Sequence, residues 1–326
     1  MRLLILGGTH FLGRHVATVA LDRGHEVATV TRGVSGAPPE GARALHGDRD
    51  DPAALPAALD GWAPELVVDT SCQTRAAARN AAAVLGDVHG YAFVSSLNAY
   101  EKWPPGPLGP EDGEPTWTTD DDEYGPNKAY AERVIGASVG NGFLTARAGL
   151  IIGPYDQIYR LDWWLDRIAR GGRVLVPAEG MEQSISVIDA RDLAGWLVEA
   201  AERSLSGGVN ATGPSGMTTL GGLLDLCREV TGSDAEWAPV REEDLLAAGV
   251  QEWVHLPLWL QQGDARTAWD VDTTRARELG LTQRPLEKSV ADTWAWMQSH
   301  ERPPLPAHRP APGLPPDLEA RFLAAH

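Results

Sequence analysis

The stretch Arg2-Leu3-Leu4-Ile5-Leu6-Gly7-Gly8-Thr9-His10-Phe11-Leu12-Gly13 decides the fold. Arg2 to Leu6 is an apolar run of strand length, and Gly7 and Gly8 break it at once. Phe11 and Leu12 open a helical pattern that Val16, Val19, Ala20 and Leu21 continue, with Gly13 in its first turn. A strand, a glycine turn and a helix N-terminus together make a phosphate site. The turn lets backbone approach a pyrophosphate, and the free N–H groups and helix dipole favour negative charge. One position departs from the usual glycine fingerprint: its middle glycine is His10.

Outward from this turn, Gly24-His25 ends the helix and Glu26 to Thr31 is a second, β-branched strand. This completes a βαβ unit, which is right-handed almost without exception. An acidic residue just after the second strand would hold the ribose 2′-hydroxyl of NAD. Here that residue is Arg32, whose fork suits a 2′-phosphate, and His10 offers a second donor. The pattern favours NADP and leaves NAD open. Ala42 to His46 is a third strand. Asp48 follows it, placed either to reach an adenine amino group or to cap a helix at Pro52 to Leu59. Glu65 to Asp69 is a fourth strand. Thr70 and Ser71 follow it, on the edge where doubly wound sheets bind ligands. Arg75 to Leu85 reads as a helix, and Tyr91 to Ser96 as a fifth strand ending in Ser95 and Ser96.

Leu97 to Glu123 is long, irregular, and rich in proline and acid; loops of that length are commonly functional. The acids Asp120 to Glu123 suit the dipole of the helix that begins at Tyr124, so no metal is expected there. In that helix, Tyr124 and Lys128 are i and i+4 and share one face. Reducing a carbonyl needs an acid for its oxygen as hydride adds to carbon. A free tyrosine ionises near pH 10, and a neighbouring ammonium favours the phenolate. Ser96, at a strand end, is placed to hold the substrate oxygen.

At these residues the chain resembles the short-chain dehydrogenase/reductases. Within them it is similar to the extended or atypical group, which includes NAD-dependent epimerases and dehydratases and isoflavone reductase-like members. The resemblance runs over about residues 2 to 300. It is carried by the Gly7–Gly13 turn, Asp48, Ser95-Ser96-Leu97-Asn98-Ala99-Tyr100, Tyr124-Gly125-Pro126-Asn127-Lys128, Arg147-Ala148-Gly149 through Gly153-Pro154, Val187–Ala194 and Asn210–Gly213. It implies a catalytic set of Ser96, Tyr124 and Lys128. It implies cofactor contacts at Gly7, Thr9, His10, Phe11, Leu12, Arg32, Asp48, Thr70, Ser71, Ser95, Tyr124, Lys128, Ala148, Leu150 and Ile151. It also implies a homodimer through the helices at Arg75 to Leu85 and Tyr124 to Val139.

Composition narrows the partners. The chain has 326 residues, 43% of them hydrophobic, and a formal charge of −17. That charge argues against nucleic acid and anionic membrane surfaces. Only Cys72 and Cys227 are present, too few for a disulfide scaffold, and no apolar run is long enough for a membrane span. A cytoplasmic protein is expected. The fold expected is α/β, a doubly wound parallel sheet over residues 1–155 to which 184–213 return. A smaller substrate lobe takes 156–183 and 214–300, and 301–326 form an extended proline-rich tail. Beyond residue 155, Arg160, Arg167, Arg170 and Arg173 are candidates for gripping a diphosphate. Against a diphosphate stand the lobe's aromatics, which suit a flat organic substrate. Ser96, Tyr100, Trp163, Trp164 and His255 are the expected substrate contacts. The leading function is an NADP-dependent reductase or dehydrogenase acting on a mainly apolar or aromatic small molecule. The alternatives are a nucleotide-sugar epimerase or dehydratase recycling a tightly bound NAD, and a non-catalytic cofactor-sensing protein.

Overall fold

The computed structural model describes the whole chain except residues 35, 104–106, 110, 112, 114, 115, 262, 303, 306–309 and 326. Pro104, Pro105, Pro110, Asp112 and Glu114 of the acidic segment, and Pro303 and Pro306 of the tail, therefore lie outside the described residues.

The first half alternates strand and helix. β1 (Arg2–Leu6), α1 (Phe11–Asp22), β2 (Glu26–Thr31), β3 (Arg43–His46), α2 (Ala54–Leu59), β4 (Leu66–Asp69), α3 (Arg75–Val84), β5 (Gly90–Ser96), α4 (Tyr124–Val139) and β6 (Phe143–Ala148) follow in order. Leu3 to Leu6 are all fully buried, as expected for a central parallel strand covered on both faces. Alternation divides them. Leu3 and Ile5 join the α1 side with Leu12 and Val16, whereas Leu4 and Leu6 join the α2, α3 and α4 side with Leu55, Ala78 and Ile135. Each such leucine contributes roughly 1.5–3 kcal/mol of burial free energy. Helix α1 stops because Gly24 takes φ +81, which lets His25 N–H return to the Ala20 carbonyl at 3.0 Å.

The chain leaves the sheet at Gly149. A Cβ there would lie 2.3 Å from Thr212 Oγ1, so only glycine fits. The apolar stretch 143–152 is therefore divided into two strands, β6 and β7 (Leu150–Ile152). Then come α5 (Arg160–Ala169), β8 (Arg173–Pro177), β9 (Ser184–Ile185), β10 (Val187–Asp189), α6 (Ala190–Glu202), β11 (Gly207–Ala211), β12 (Thr218–Thr219), α7 (Leu220–Thr231), β13 (Glu236–Val240), α8 (Glu242–Ala247), α9 (Thr274–Glu278), α10 (Leu286–Ser299) and α11 (Pro316–Ala325). The central sheet has seven strands in the order β11-β6-β5-β4-β1-β2-β3, and every pairing in it is parallel. Helix α6 returns to cover the α1 face.

A second core gathers Trp164, Leu165, Leu223, Trp259 and Trp296 from the later elements. The tail departs from expectation. It ends in α11, whose Glu319 pairs with Arg167 at 2.8 Å. Arg173 Nη1 donates to the Leu323 carbonyl at 2.8 Å. Leu318, Phe322 and Leu323 pack on the second core; helix formation resumes once Pro316 supplies a proline-tolerant first turn. No helix among the described residues is long and apolar enough to cross a membrane.

Candidate active site at the carboxyl ends of the central strands

The glycine turn forms a tight cradle at the end of β1. Gly7 and Gly8 take φ +111 and +109, and a Cβ on Gly7 would lie 2.4 Å from Thr70 Oγ1. A Cβ on Gly13 would lie 2.6 Å from Gly8 N, so α1 is seated directly on the turn. His10 is the N-cap of α1 in extended backbone (φ −120, ψ 150), with no side-chain cap bond and no acid in the first turn. The leading N–H groups of α1 are thus left for an anion, a geometry that fits a dinucleotide pyrophosphate. Burial first, and then the Arg14 cation, lower the His10 imidazole below its usual range. Phe11 takes φ +34, strain of the kind found at ligand clamps.

Around the cradle, Thr9 and Leu12 are buried. Arg32 is exposed just past β2, and Asp48 is exposed and accepts from Asp50 N–H at 3.1 Å. Thr70 Oγ1 donates to the Leu6 carbonyl at 3.1 Å. Ser71 Oγ accepts from Arg49 Nη1 at 3.0 Å. Arg49 is a residue the sequence reading passed over. Its guanidinium makes a fork to Asp69 at 2.8 and 2.7 Å, and Tyr91 donates to the same carboxylate at 2.9 Å. Asp69 is fully buried. This pair links the ends of β3 and β4 beneath the ligand edge. The only sequence signal was charge in a Gly-Asp-Arg-Asp turn, which a helix cap explained equally well.

Ser96 closes β5, and its Oγ accepts from Asn98 N–H at 3.1 Å, capping the turn Leu97–Ala99. The start of α4 abuts that turn: a Cβ on Gly125 would lie 2.3 Å from the Asn98 carbonyl oxygen. Tyr124, the first residue of α4, is 45% exposed, so its phenol is open to a substrate. Lys128 is buried, and its Nζ donates to the Val94 carbonyl at 3.0 Å. The same Nζ lies 5.7 Å from the Tyr124 ring centroid. One helical turn further, Glu132 accepts from Ser95 Oγ at 2.5 Å and pairs with Arg147 at 2.8 Å. The structure thus brings Ser96, Tyr124 and Lys128 to one end of β5. Ala148 ends β6 nearby, and Leu150 and Ile151 are half-buried in β7.

The expected substrate contacts fare differently. Tyr100 is fully buried; its hydroxyl donates to Asn210 Oδ1 at 2.7 Å and accepts from Arg147 Nη1 at 3.0 Å. It is a strut behind the site, because both hydroxyl roles and the whole ring are taken. Trp164 is likewise fully buried, with Nε1 donating to the Pro257 carbonyl at 2.6 Å; it is core. Trp163 is half-buried and meets Trp164 edge-on at 4.7 Å. His255 closes a local turn, accepting from Gln251 N–H at 3.0 Å. Arg167 is buried against Glu319 and does not reach out toward a diphosphate. An open groove of about 1090 Å³ between α7 and residues 283–287 has none of Ser96, Tyr124 and Lys128 on its lining.

The NAD dependent epimerase/dehydratase family model matches residues 3–211. A 2′-dehydrokanamycin reductase of Streptomyces kanamyceticus is 26% identical over 221 residues, covering 64% of this chain. The match spans 60% of that reductase. Among solved structures, a Thermus thermophilus UDP-glucose 4-epimerase in complex with NAD superposes with a TM-score of 0.70 at 19% identity, covering 92% of this chain and 100% of that one. The Bordetella bronchiseptica enzyme WbmH in complex with NAD+ gives 0.68 at 16% identity, covering 92% and 98%. These structural likenesses show the fold. The matched residues span the glycine cradle and the seven-stranded parallel sheet, and the chain belongs to the NAD dependent epimerase/dehydratase family.

Proposed function

We propose that the protein is an NADP-dependent reductase, or dehydrogenase in the opposite direction, of the short-chain type. The observation that carries this reading is the buried Lys128, fixed to Val94 beneath an exposed Tyr124 beside Ser96. The nicotinamide ring, when bound, supplies or accepts the hydride. Gly7, Thr9, Phe11 and Leu12 hold the pyrophosphate. Ser71 and Ser95 line the path of the cofactor, with Ala148, Leu150 and Ile151 along its nicotinamide end. Ser96 Oγ orients the substrate oxygen. Tyr124 Oη donates its proton to that oxygen in reduction and takes it back in oxidation. Lys128 holds a positive charge beneath the phenol and excludes water from that side of it. The reductase named among the relatives supports the reductive direction.

For the substrate, the retained aromatic wall is smaller than the sequence implied. Trp164 and Trp259 are consumed by the core, and half-buried Trp163 and Trp253 pack against it. A small organic carbonyl compound remains the proposed class. A homodimer through α3 and α4, which lie side by side on one face of the sheet, belongs to the same proposal. The test is NADPH oxidation by purified protein across a panel of ketones and keto sugars. Tyr124→Phe should lower the rate about 10²- to 10⁴-fold, and turnover at the wild-type rate would overturn the assignment.

A second reading, an epimerase or dehydratase recycling bound NAD, is favoured by the fold shared with UDP-glucose 4-epimerase. It predicts substrate conversion with no net NADPH consumption, and NAD released on denaturing the purified protein.

A further inference from the structure

We propose that Arg14 of α1 and His300 at the end of α10 recognise the 2′-phosphate of NADP, in a cavity closed by the second half of the chain. This rests on the NADP reading above and relocates its recognition residues. The cavity has a volume of about 290 Å³. One wall is His10 and Arg14 of α1, and a second is Gly36 and Ala37 of the loop after β2. The third is Tyr155, Trp296 and His300, with Glu301 also on the lining. Arg32, the residue the sequence favours, is not on the lining and is exposed past the end of β2.

The position follows from the fold. A dinucleotide on this sheet has its pyrophosphate at the start of α1 and its adenosine ribose at the end of β2. A group on the ribose 2′-oxygen then lies between α1 and the loop after β2, which are two walls of this cavity. The chemistry agrees. Arg14 is half-buried, its Nη1 contacts the Ala37 carbonyl at 3.4 Å, and its guanidinium lies 5.0 Å from the Tyr155 ring centroid. Stacking fixes the plane of the fork and leaves its other donors for a phosphate. Tyr155 takes φ +70, and its ring also meets Trp296 at 5.0 Å and His300 at 6.0 Å. His300 stacks on Trp296 with an interplanar angle of 17°.

Trp296 packs its ring against both Tyr155 and His300, so the third wall is one aromatic cluster that holds the His300 ring in place. Because α10 also packs in the second core, occupancy of this cavity would tie the substrate lobe to the cofactor.

The experiment is calorimetric binding of NADPH, NADH and 2′,5′-ADP to the full chain. The last of these carries the 2′-phosphate without the nicotinamide. Arg14→Gln and His300→Ala should each weaken NADPH and 2′,5′-ADP about tenfold, the scale of one charge-assisted hydrogen bond, and leave NADH within about twofold. Glu301→Gln should tighten NADPH, since it removes a negative charge from the cavity lining. Arg32→Asp separates the two ideas. If it alone discriminates against NADPH while Arg14→Gln and His300→Ala bind normally, the NADP reading stands and this inference is overturned. If wild-type protein binds NADH as tightly as NADPH and does not bind 2′,5′-ADP, the NADP reading falls and this inference falls with it. Equal loss of NADH and NADPH in a variant with an unchanged unfolding temperature also overturns a 2′-phosphate role.

Discussion

Lys128 reaches back along α4 to place its ammonium 5.7 Å from the ring centroid of Tyr124, one helical turn earlier. A lysine on this face would ordinarily extend to solvent. This one is buried, held by the Val94 carbonyl and lying 5.3 Å from the Phe93 ring centroid. Burying an ammonium costs several kcal/mol unless its donors are used, and among the described residues the Val94 carbonyl is the one hydrogen-bond acceptor in place. Its remaining donors are available to a ligand at the end of β5. Lys128→Met keeps the apolar stem and deletes the charge. The expected outcome is a folded protein with cofactor turnover lowered about 10²- to 10⁴-fold. Single-turnover rates check this, and a rate within a few-fold of wild type would leave Lys128 without a catalytic role.

Asp69 and Arg49 test what holds the ligand edge together. Asp69 is fully buried and accepts from Arg49 twice and from Tyr91 once. Substitution of Asp69 by Ala strands a guanidinium whose side chain is only 10% exposed. Loss of stability of about 3–5 kcal/mol is expected, read from the denaturant midpoint. Tyr91→Phe removes one of the four bonds this carboxylate accepts, the fourth coming from Ser71 N–H at 3.1 Å, and should cost about 1 kcal/mol.

Much of this arrangement was legible in the chain, and the failures share a cause. β1 to β5 read correctly because buried parallel strands are short apolar runs cut by glycine, and that signal is local. That Tyr124 and Lys128 share one helix was legible because their spacing is local too. Tyr100, Trp164 and Arg167 did not, because whether a long amphipathic side chain faces a cleft or a core depends on distant partners: Asn210, Pro257 and Glu319. Arg14 was invisible for a similar reason. It looks like a surface helix residue until Tyr155 and Trp296, well over a hundred residues later, are folded against it. β13 was missed as well, since Glu236–Val240 acquires strand geometry only by pairing with β8.

Asp162 makes stability depend on pH in a direction opposite to most carboxylates. It lies in the first turn of α5 with 1% exposure, and neither carboxyl oxygen has a hydrogen-bond partner among the described residues. Burial, and then the nearby Asp156 carboxylate, hold its carboxyl well above the usual range. The sign follows. Above about pH 4 the unfolded chain has released this proton, while the folded chain keeps it until its own raised pKa. The folded state binds more protons, so this group lowers stability as pH rises through that window. Asp162→Asn removes the ionisation. The variant should therefore lose less stability than wild type between about pH 4 and pH 7, measured as denaturant midpoints at several pH values. Parallel curves for the two proteins would contradict the assignment.

Glu319 and Arg167 tie the end of the chain to the second core, and their removal should be felt far from any ligand. Arg167 is 8% and Glu319 12% exposed at the side chain. The guanidinium donates to both carboxylate oxygens at 2.8 and 2.9 Å, and also to the Arg173 carbonyl at 2.5 Å. Glu319→Ala leaves that partly buried cation with only carbonyl partners. The expected cost is about 2–3 kcal/mol, somewhat below that of a fully orphaned charge. Replacing both residues together, Arg167→Met with Glu319→Leu, removes the stranded charge and fills the space with apolar atoms. The double variant should recover most of the loss, because an apolar pair of similar volume substitutes well for a buried ion pair. Thermal unfolding of the wild type, the single variant and the double variant checks this. An unchanged midpoint in Glu319→Ala would mean that α11 is held by its apolar face, Leu318, Phe322 and Leu323, without help from the ion pair.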